Sequence, residues 1–218
     1  MADSSLAELY RTPLELEAEH VRLEPLTLAH APGLFAVGQD QEIWRWLYSA
    51  PPANVDEMRA RVAEALEAQS RGGALPFAVV EQASGTVIGT TRYMGINAAH
   101  RQLEIGWTWY GRAYWRTSVN TECKYLMLRH AFESLECIRV QFATDVRNER
   151  SQRAIERIGA TREGVLRDNR IVPKDGYRRS SVVYSIIDDE WPGVKARLES
   201  MLRWNGGTPD RPRIHDDQ

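Results

Sequence analysis

Leu103-Glu104-Ile105-Gly106-Trp107-Thr108-Trp109 is the stretch that decides the fold. Leu103, Ile105, Trp107 and Trp109 alternate with Gln102, Glu104, Gly106 and Thr108, the two-residue period of a strand. A carboxylate, Glu104, therefore sits mid-strand. A polar turn, Trp115-Arg116-Thr117-Ser118-Val119-Asn120, follows and opens a helix in which Val119, Cys123, Leu126, Met127 and His130 recur at helical spacing. The first N–H groups of a helix lack intrahelical partners and its dipole favours negative charge, so strand, turn and helix start together suit an anion.

Working outward, Leu14–Glu17 and His20–Pro25 alternate like two short strands, and Thr27 or His30 can open a helix carrying Leu34, Phe35 and Val37. An aromatic-rich segment, Gln41–Tyr48, is closed by Pro51-Pro52. Asn54 is a good N-cap for a long helix ending at Gly72-Gly73. Pro76–Glu81 and Thr86–Met94 read as strands joined in a hairpin that ends at Gly85. Beyond the central helix come a strand at Arg139–Asp145, a helix from Asn148 to Gly159, and a strand at Ala160–Val165. An arginine-rich loop, a strand at Ser180–Ile187 and a helix from Asp188 to about Arg203 complete the pattern. The strand-helix-strand unit from Gln102 to Asp145 implies a parallel pair and the hairpin implies antiparallel partners. The expectation is one α/β domain over residues 13–203 with a mixed sheet and helices on both faces. Residues 1–12 read as a mobile lead-in and residues 204–218, rich in Gly, Pro and charge, as a disordered tail.

Composition narrows the function. At 218 residues, 43% apolar and net charge −2, the chain can bury a full core and has no global attraction to nucleic acid or anionic membrane. Between Arg139 and Arg179, however, about eleven Lys or Arg face about six Asp or Glu, a local basic segment that suits a phosphorylated ligand or forms a solvated face. Cys123 falls on a core face and Cys137 soon after, with no C-x-x-C, and five scattered histidines make no metal-ligand pattern; His130 reads as a core histidine. No apolar run approaches the ~20 residues of a membrane span and no signal peptide is legible, so a cytoplasmic protein without metal is expected.

Several segments together resemble the GCN5-related N-acetyltransferase (GNAT) superfamily, in the branch of the RimJ- and RimL-type ribosomal-protein alanine acetyltransferases. They are Val21-Arg-Leu-Glu-Pro-Leu26, Gly89 with its strand, Glu104-Ile-Gly-Trp107, Trp115 through Glu122, Asn148-Glu-Arg-Ser-Gln-Arg-Ala-Ile-Glu-Arg-Ile-Gly159 and Arg162-Glu-Gly-Val-Leu-Arg167. The resemblance runs from about Leu14 to Trp191. It implies a mostly antiparallel sheet that splays between the Glu104 strand and the strand ending at Asp145, with the pantetheine of acetyl-CoA in the gap. It places the pyrophosphate on the turn, so that Trp107, Arg112, Arg116, Thr117, Ser118, Val119, Asn120 and Thr121 form the expected cofactor site, with Asn148 and Ser151 beside the pantetheine and sulfur. The turn departs from the family's Q/R-x-x-G-x-G/A pattern, having Ser118 and Asn120 where glycine or alanine is usual; either residue can also simply cap the helix.

By the same resemblance Glu104 is the general base, taking a proton from the acceptor amine directly or through water, and Ser151 serves the leaving thiolate. Without the family, Glu104 reads as a half-exposed carboxylate pairing with Arg92 or Arg101, and Asn148 and Ser151 as an N-cap and first-turn residue. The acceptor is expected near Trp44, Trp46, Tyr48 and Trp109, with Trp107 beside them, where rings next to a carboxylate suit a cationic amine; the other reading of these rings is core. The implied activity is acetyl transfer from acetyl-CoA to a protein N-terminus or small-molecule amine in a ternary complex, in a chain that pairs as a homodimer. The alternative is a non-catalytic acyl-CoA-binding domain of the same fold.

Overall fold

The structure, a computed structural model, describes residues 14–205. The expected lead-in and the tail beyond residue 205 lie outside the described residues. Eight strands are described: β1 (Leu16–Glu17), β2 (Val21–Pro25), β3 (Ala74–Glu81), β4 (Val87–Asn97), β5 (Gln102–Tyr110), β6 (Arg139–Asp145), β7 (Thr161–Ile171) and β8 (Arg178–Ile187). They form one sheet in the order β1-β2-β3-β4-β5-β6-β8-β7, antiparallel except for β5 and β6. The α-helices are α1 (Ala31–Val37), α2 (Gln41–Trp44), α3 (Val55–Ser70), α4 (Val119–Arg129), α5 (Glu149–Arg157) and α6 (Trp191–Asn205).

Two apolar layers hold the helices to opposite faces. On one, Val119, Cys123, Leu126 and Met127 of α4 and Val194 and Leu198 of α6 pack on Leu103, Ile105, Val140, Phe142 and Tyr184. On the other, Leu34 of α1, Trp44 of α2, and Met58, Val62 and Ala65 of α3 pack on Ala78 and Trp109. The long helix α3 starts where the sequence predicts, because the Asn54 side chain accepts the Glu57 N–H at 2.9 Å.

The central strand holds an irregularity that strict alternation does not predict. Opposite β4, Thr90 pairs with Trp109 and Arg92 with Gly106, so Thr91 faces two residues, a β-bulge with Trp107 at φ 49°. The extra residue switches faces. Leu103 and Ile105 point to the α4 layer, as do Thr108, which accepts from Lys124, and Tyr110; Trp107 and Trp109 turn to the α1/α3 face, where Trp109 packs on Trp44 and Trp107 on Tyr48. Glu104 and the two tryptophans, assigned opposite faces by sequence, thus share one. Gly89 allows the close approach this requires: a Cβ there would lie 2.3 Å from the Trp109 carbonyl oxygen and 2.9 Å from Tyr110 Cα.

The second departure lies in the basic segment. The strand expected to end at Val165 continues to Ile171, and the arginine-rich "loop" is strand, twisted by register shifts and by Asp168 at φ 47°. It pairs with β8, and the hairpin tip falls at residues 172–177.

Candidate active site

Strands β5 and β6 pair over only three positions, Gln102 with Arg139, Leu103 with Val140 and Glu104 with Gln141. Beyond them β5 runs on to Tyr110 and β6 to Asp145 without pairing, so the sheet opens into a splay whose apex is Glu104. Gln141 Nε2 donates to Glu104 Oε2 at 3.0 Å. Neither expected arginine pairs with this carboxylate: Arg101 Nε donates to the Glu136 carbonyl at 2.8 Å, and Arg92 lies over the Trp107 ring at 4.7 Å. Burial raises the Glu104 pKa above the usual carboxylate value, although the Gln141 hydrogen bond and the charges of Arg170 and Arg179 pull it down.

The five candidate rings divide. Trp44 is 3% exposed and donates its indole N–H to the Gly38 carbonyl at 2.7 Å, and Trp109 is 8% exposed against it; both are core. Trp46, Tyr48 and Trp107 are half-buried and border the site. Their faces already carry guanidinium groups: Arg92 over Trp107, Arg179 over Tyr48 at 4.8 Å, and Arg147 over Trp46 at 5.0 Å. Rings that suggested a seat for a cationic amine are thus occupied by the chain's own cations.

At the mouth of the splay, the turn before α4 achieves without glycine the backbone that glycine usually supplies, with Arg116 at φ 63°. Ser118 occupies the N-cap position but makes no capping bond; Thr117 Oγ1 accepts from Val119 N–H at 3.4 Å, and the first helical bond runs from Glu122 N–H to Ser118 O. Asn120 sits inside the first turn, where its Oδ1 accepts from the Tyr110 hydroxyl at 3.4 Å. The side chains of Val119 and Thr121 are buried, and Thr121 Oγ1 accepts from Arg157, so these two can offer a ligand only their amides. From the other side comes the start of α5, where Asn148 Oδ1 accepts the Ser151 N–H at 3.1 Å. Arg150 stacks on Trp115 at 3.5 Å and Arg112 lies over the same ring at 4.4 Å. The charges of Arg112 and Arg116 also act on Arg150. Three guanidinium groups thus converge where two helices start, a donor set that fits a pyrophosphate.

Residues 20–161 match the model of a family described as an acetyltransferase (GNAT) domain. The chain belongs to the GNAT family. Among relatives of this acetyltransferase, YdaF of Bacillus subtilis (strain 168), provisionally named a ribosomal N-acetyltransferase, is 28% identical over 81% of this chain and 96% of that protein. A GCN5-related N-acetyltransferase from Brucella melitensis superposes with TM-score 0.81 at 32% identity, covering 87% of this chain and 85% of that one. A Mycobacterium smegmatis RimJ solved with CoA-disulfide shares the fold, with TM-score 0.72 at 20% identity over 88% of this chain and 94% of its own.

Some site residues of this GNAT chain escape sequence reading. Arg150 lies inside a quoted motif, but nothing in its spacing points to Trp115. Lys124 is 6% exposed on α4, donating from Nζ to Thr108 Oγ1 at 3.0 Å beneath β5 and 5.8 Å from the Phe142 ring on β6. Burial lowers its pKa from 10.5 to about 8. Between these values the folded chain has released a proton that the unfolded chain keeps, so stability rises with pH there and the cost of the buried charge is complete below about pH 8. The Cys123 thiol, pushed from 9.0 to about 12, acts in the opposite sense once the unfolded thiol ionises. The clear window is therefore about pH 8 to 9, where the urea midpoint should rise in the wild type but not in Lys124→Met. A midpoint that is flat in both proteins would show that Lys124 keeps an ordinary pKa.

Among the described residues, no group of three or more His, Cys, Asp or Glu could hold a metal ion, and no helix is long and apolar enough to cross a membrane.

Proposed function

We propose that this GNAT protein transfers the acetyl group of acetyl-CoA to a primary amine by direct attack within a ternary complex. The observation that carries this reading is the parting of β5 and β6 immediately after Glu104. It leaves a slot with a raised-pKa carboxylate at one end and three arginines with two helix starts at the other. Acetyl-CoA supplies the activated thioester. Within the slot the amides of the α4 turn, with Arg112, Arg116 and Arg150, hold the pyrophosphate, and Asn148 binds the pantetheine. Glu104 accepts the amine proton as the C–N bond forms, and the Ser151 hydroxyl donates a hydrogen bond to the sulfur, which departs as the CoA thiolate as the C–S bond breaks. Direct attack is favoured over an acyl-cysteine because Cys123 lies in the core on the α4 face with its thiol pushed up to about 12. The provisional name of YdaF, a ribosomal N-acetyltransferase, makes protein amines, N-termini among them, the first acceptors to try, beside small amines.

The test is release of free CoA thiol from acetyl-CoA across a panel of N-terminal peptides and small amines. Amine-dependent release supports transfer. Measurable CoA binding with no release by any amine would instead establish the non-catalytic reading.

A further inference from the structure

Under the splay, on the face opposite Glu104, lies a buried cation to which the reaction above gives no task. Lys124 of α4 is 6% exposed and reaches both strands beyond their last pair. Its Nζ donates to Thr108 Oγ1 of β5 at 3.0 Å and stands 5.8 Å from the ring of Phe142, the residue after Gln141 on β6. The ammonium group therefore sits at the gap between β5 and β6, on the side of the apex where Gln141 bonds Glu104.

The protein answers this charge only in part. An ammonium group has three N–H donors, and among the described residues one acceptor meets them, the Thr108 hydroxyl, which also shares a hydrogen bond with Thr91 Oγ1 at 2.7 Å. A hydroxyl dipole and a phenyl ring are both neutral. Glu122, the neighbouring carboxylate on α4, is engaged by His20, whose backbone N–H and ring Nδ1 lie 2.8 and 2.6 Å from its oxygens. Tyr110 and Cys123 of the same layer are uncharged, since burial pushes the phenol well above its ordinary value and the thiol to about 12. Lys124, lowered to about 8, still carries its proton for the most part at neutral pH. A buried cation without an anionic partner is costly, and the cost falls when an anion forms beside it.

Acetyl transfer creates such an anion. As the C–N bond forms and the C–S bond breaks, the bonding pair goes to sulfur and the amine proton to Glu104, so a thiolate appears in the slot. Ser151 offers it a hydrogen bond but no charge. We propose that the Lys124 ammonium is the counter-charge for the departing CoA thiolate, stabilising it from beneath the gap while keeping its own proton. This rests on the acetyltransferase reading above and adds a residue to it. A fixed charge in a slot shielded from water acts more strongly than the same charge in solution.

The test is a titration of the CoA thiol at saturating CoA, followed by the ultraviolet absorbance that a thiolate has and a thiol lacks, with the spectrum of the protein alone subtracted. In the wild type the bound thiol should ionise about one pH unit or more below free CoA, a tenfold change in ionisation constant. Lys124→Met should abolish that shift and lower kcat by about tenfold, the same free energy expressed in the barrier, with KM for acetyl-CoA little changed. Lys124→Arg, which keeps the charge, should retain part of both. Replacing a buried charge by an apolar side chain of similar length does not endanger folding. No shift in the wild type, or an equal shift in Lys124→Met, would overturn the proposal and leave the acetyltransferase reading intact. Weaker CoA binding in Lys124→Met with an unchanged thiol titration would make Lys124 a pantetheine contact and overturn it as well. A shift that depends on Lys124, without transfer to any amine, would uphold the counter-charge and defeat the acetyltransferase reading.

Discussion

Glu104→Gln should lower kcat by about 10²-fold or more, the usual contribution of a positioned general base, with little change in CoA affinity. The substitution keeps the size of the side chain and its ability to accept from Gln141, whose Nε2 donates to Glu104 at 3.0 Å, so the splay should persist. The pH profile separates a base from a merely structural carboxylate. Burial raises the Glu104 pKa above 4.5, so the wild-type rate should climb with pH through that raised value as the carboxylate ionises. In the variant this acid limb should vanish. Turnover at the wild-type level would move the role elsewhere, and a depressed rate that keeps the acid limb would make Glu104 a positioning residue.

The largest effect on stability is expected at Gly89. An alanine there would put its Cβ 2.3 Å from the Trp109 carbonyl oxygen and 2.9 Å from Tyr110 Cα, both backbone atoms of the central strand that no rotamer change can move aside. Overpacking of this kind costs about 3 kcal/mol or more, a fall of roughly 10 °C in thermal midpoint for a domain of this size. Gly164→Ala is the control, since a Cβ there meets nothing within 4 Å. Gly85→Ala has equal space but φ +67° and should cost about 1 kcal/mol from backbone strain alone. A Gly89→Ala midpoint no lower than that of Gly85→Ala would mean that β4 and β5 separate easily, which their pairing on both sides of the bulge, from Gly89 to Asn97, argues against.

Much of the fold was legible because its signals are local. Asn54 and Gly72 bound α3, Gly85 closes the β3–β4 hairpin, and Asn148 and Gly159 bracket α5, each through a cap or turn that acts within a few residues. The bulge at Trp107 was not legible. Alternation assigns faces by counting, and one extra residue reverses every assignment after it. The arginines beside the site were hidden for another reason. Arg92 and Arg179 stand at strand positions where arginine ordinarily points to water, and only the packing of Trp107 and Tyr48 onto them reveals burial. The family resemblance pointed to Glu104 and the turn, since those are motif positions, but a cluster of rings and arginines assembled from β4, β8 and the segment after α2 has no local signature.

Lys174, near the tip of the β7–β8 hairpin, donates to the carbonyls of Trp44 and Arg45 at 2.6 and 3.0 Å. It thereby fastens the far edge of the sheet to the end of α2, where carbonyl groups are otherwise left without helical partners. The aromatic segment and the hairpin are separated by most of the chain, yet Lys174 joins them in a single clasp. Arg147, lying over both Trp46 and Tyr177, ties the same two segments a second time, so neither can shift without carrying the other or releasing the Lys174 ammonium group to water.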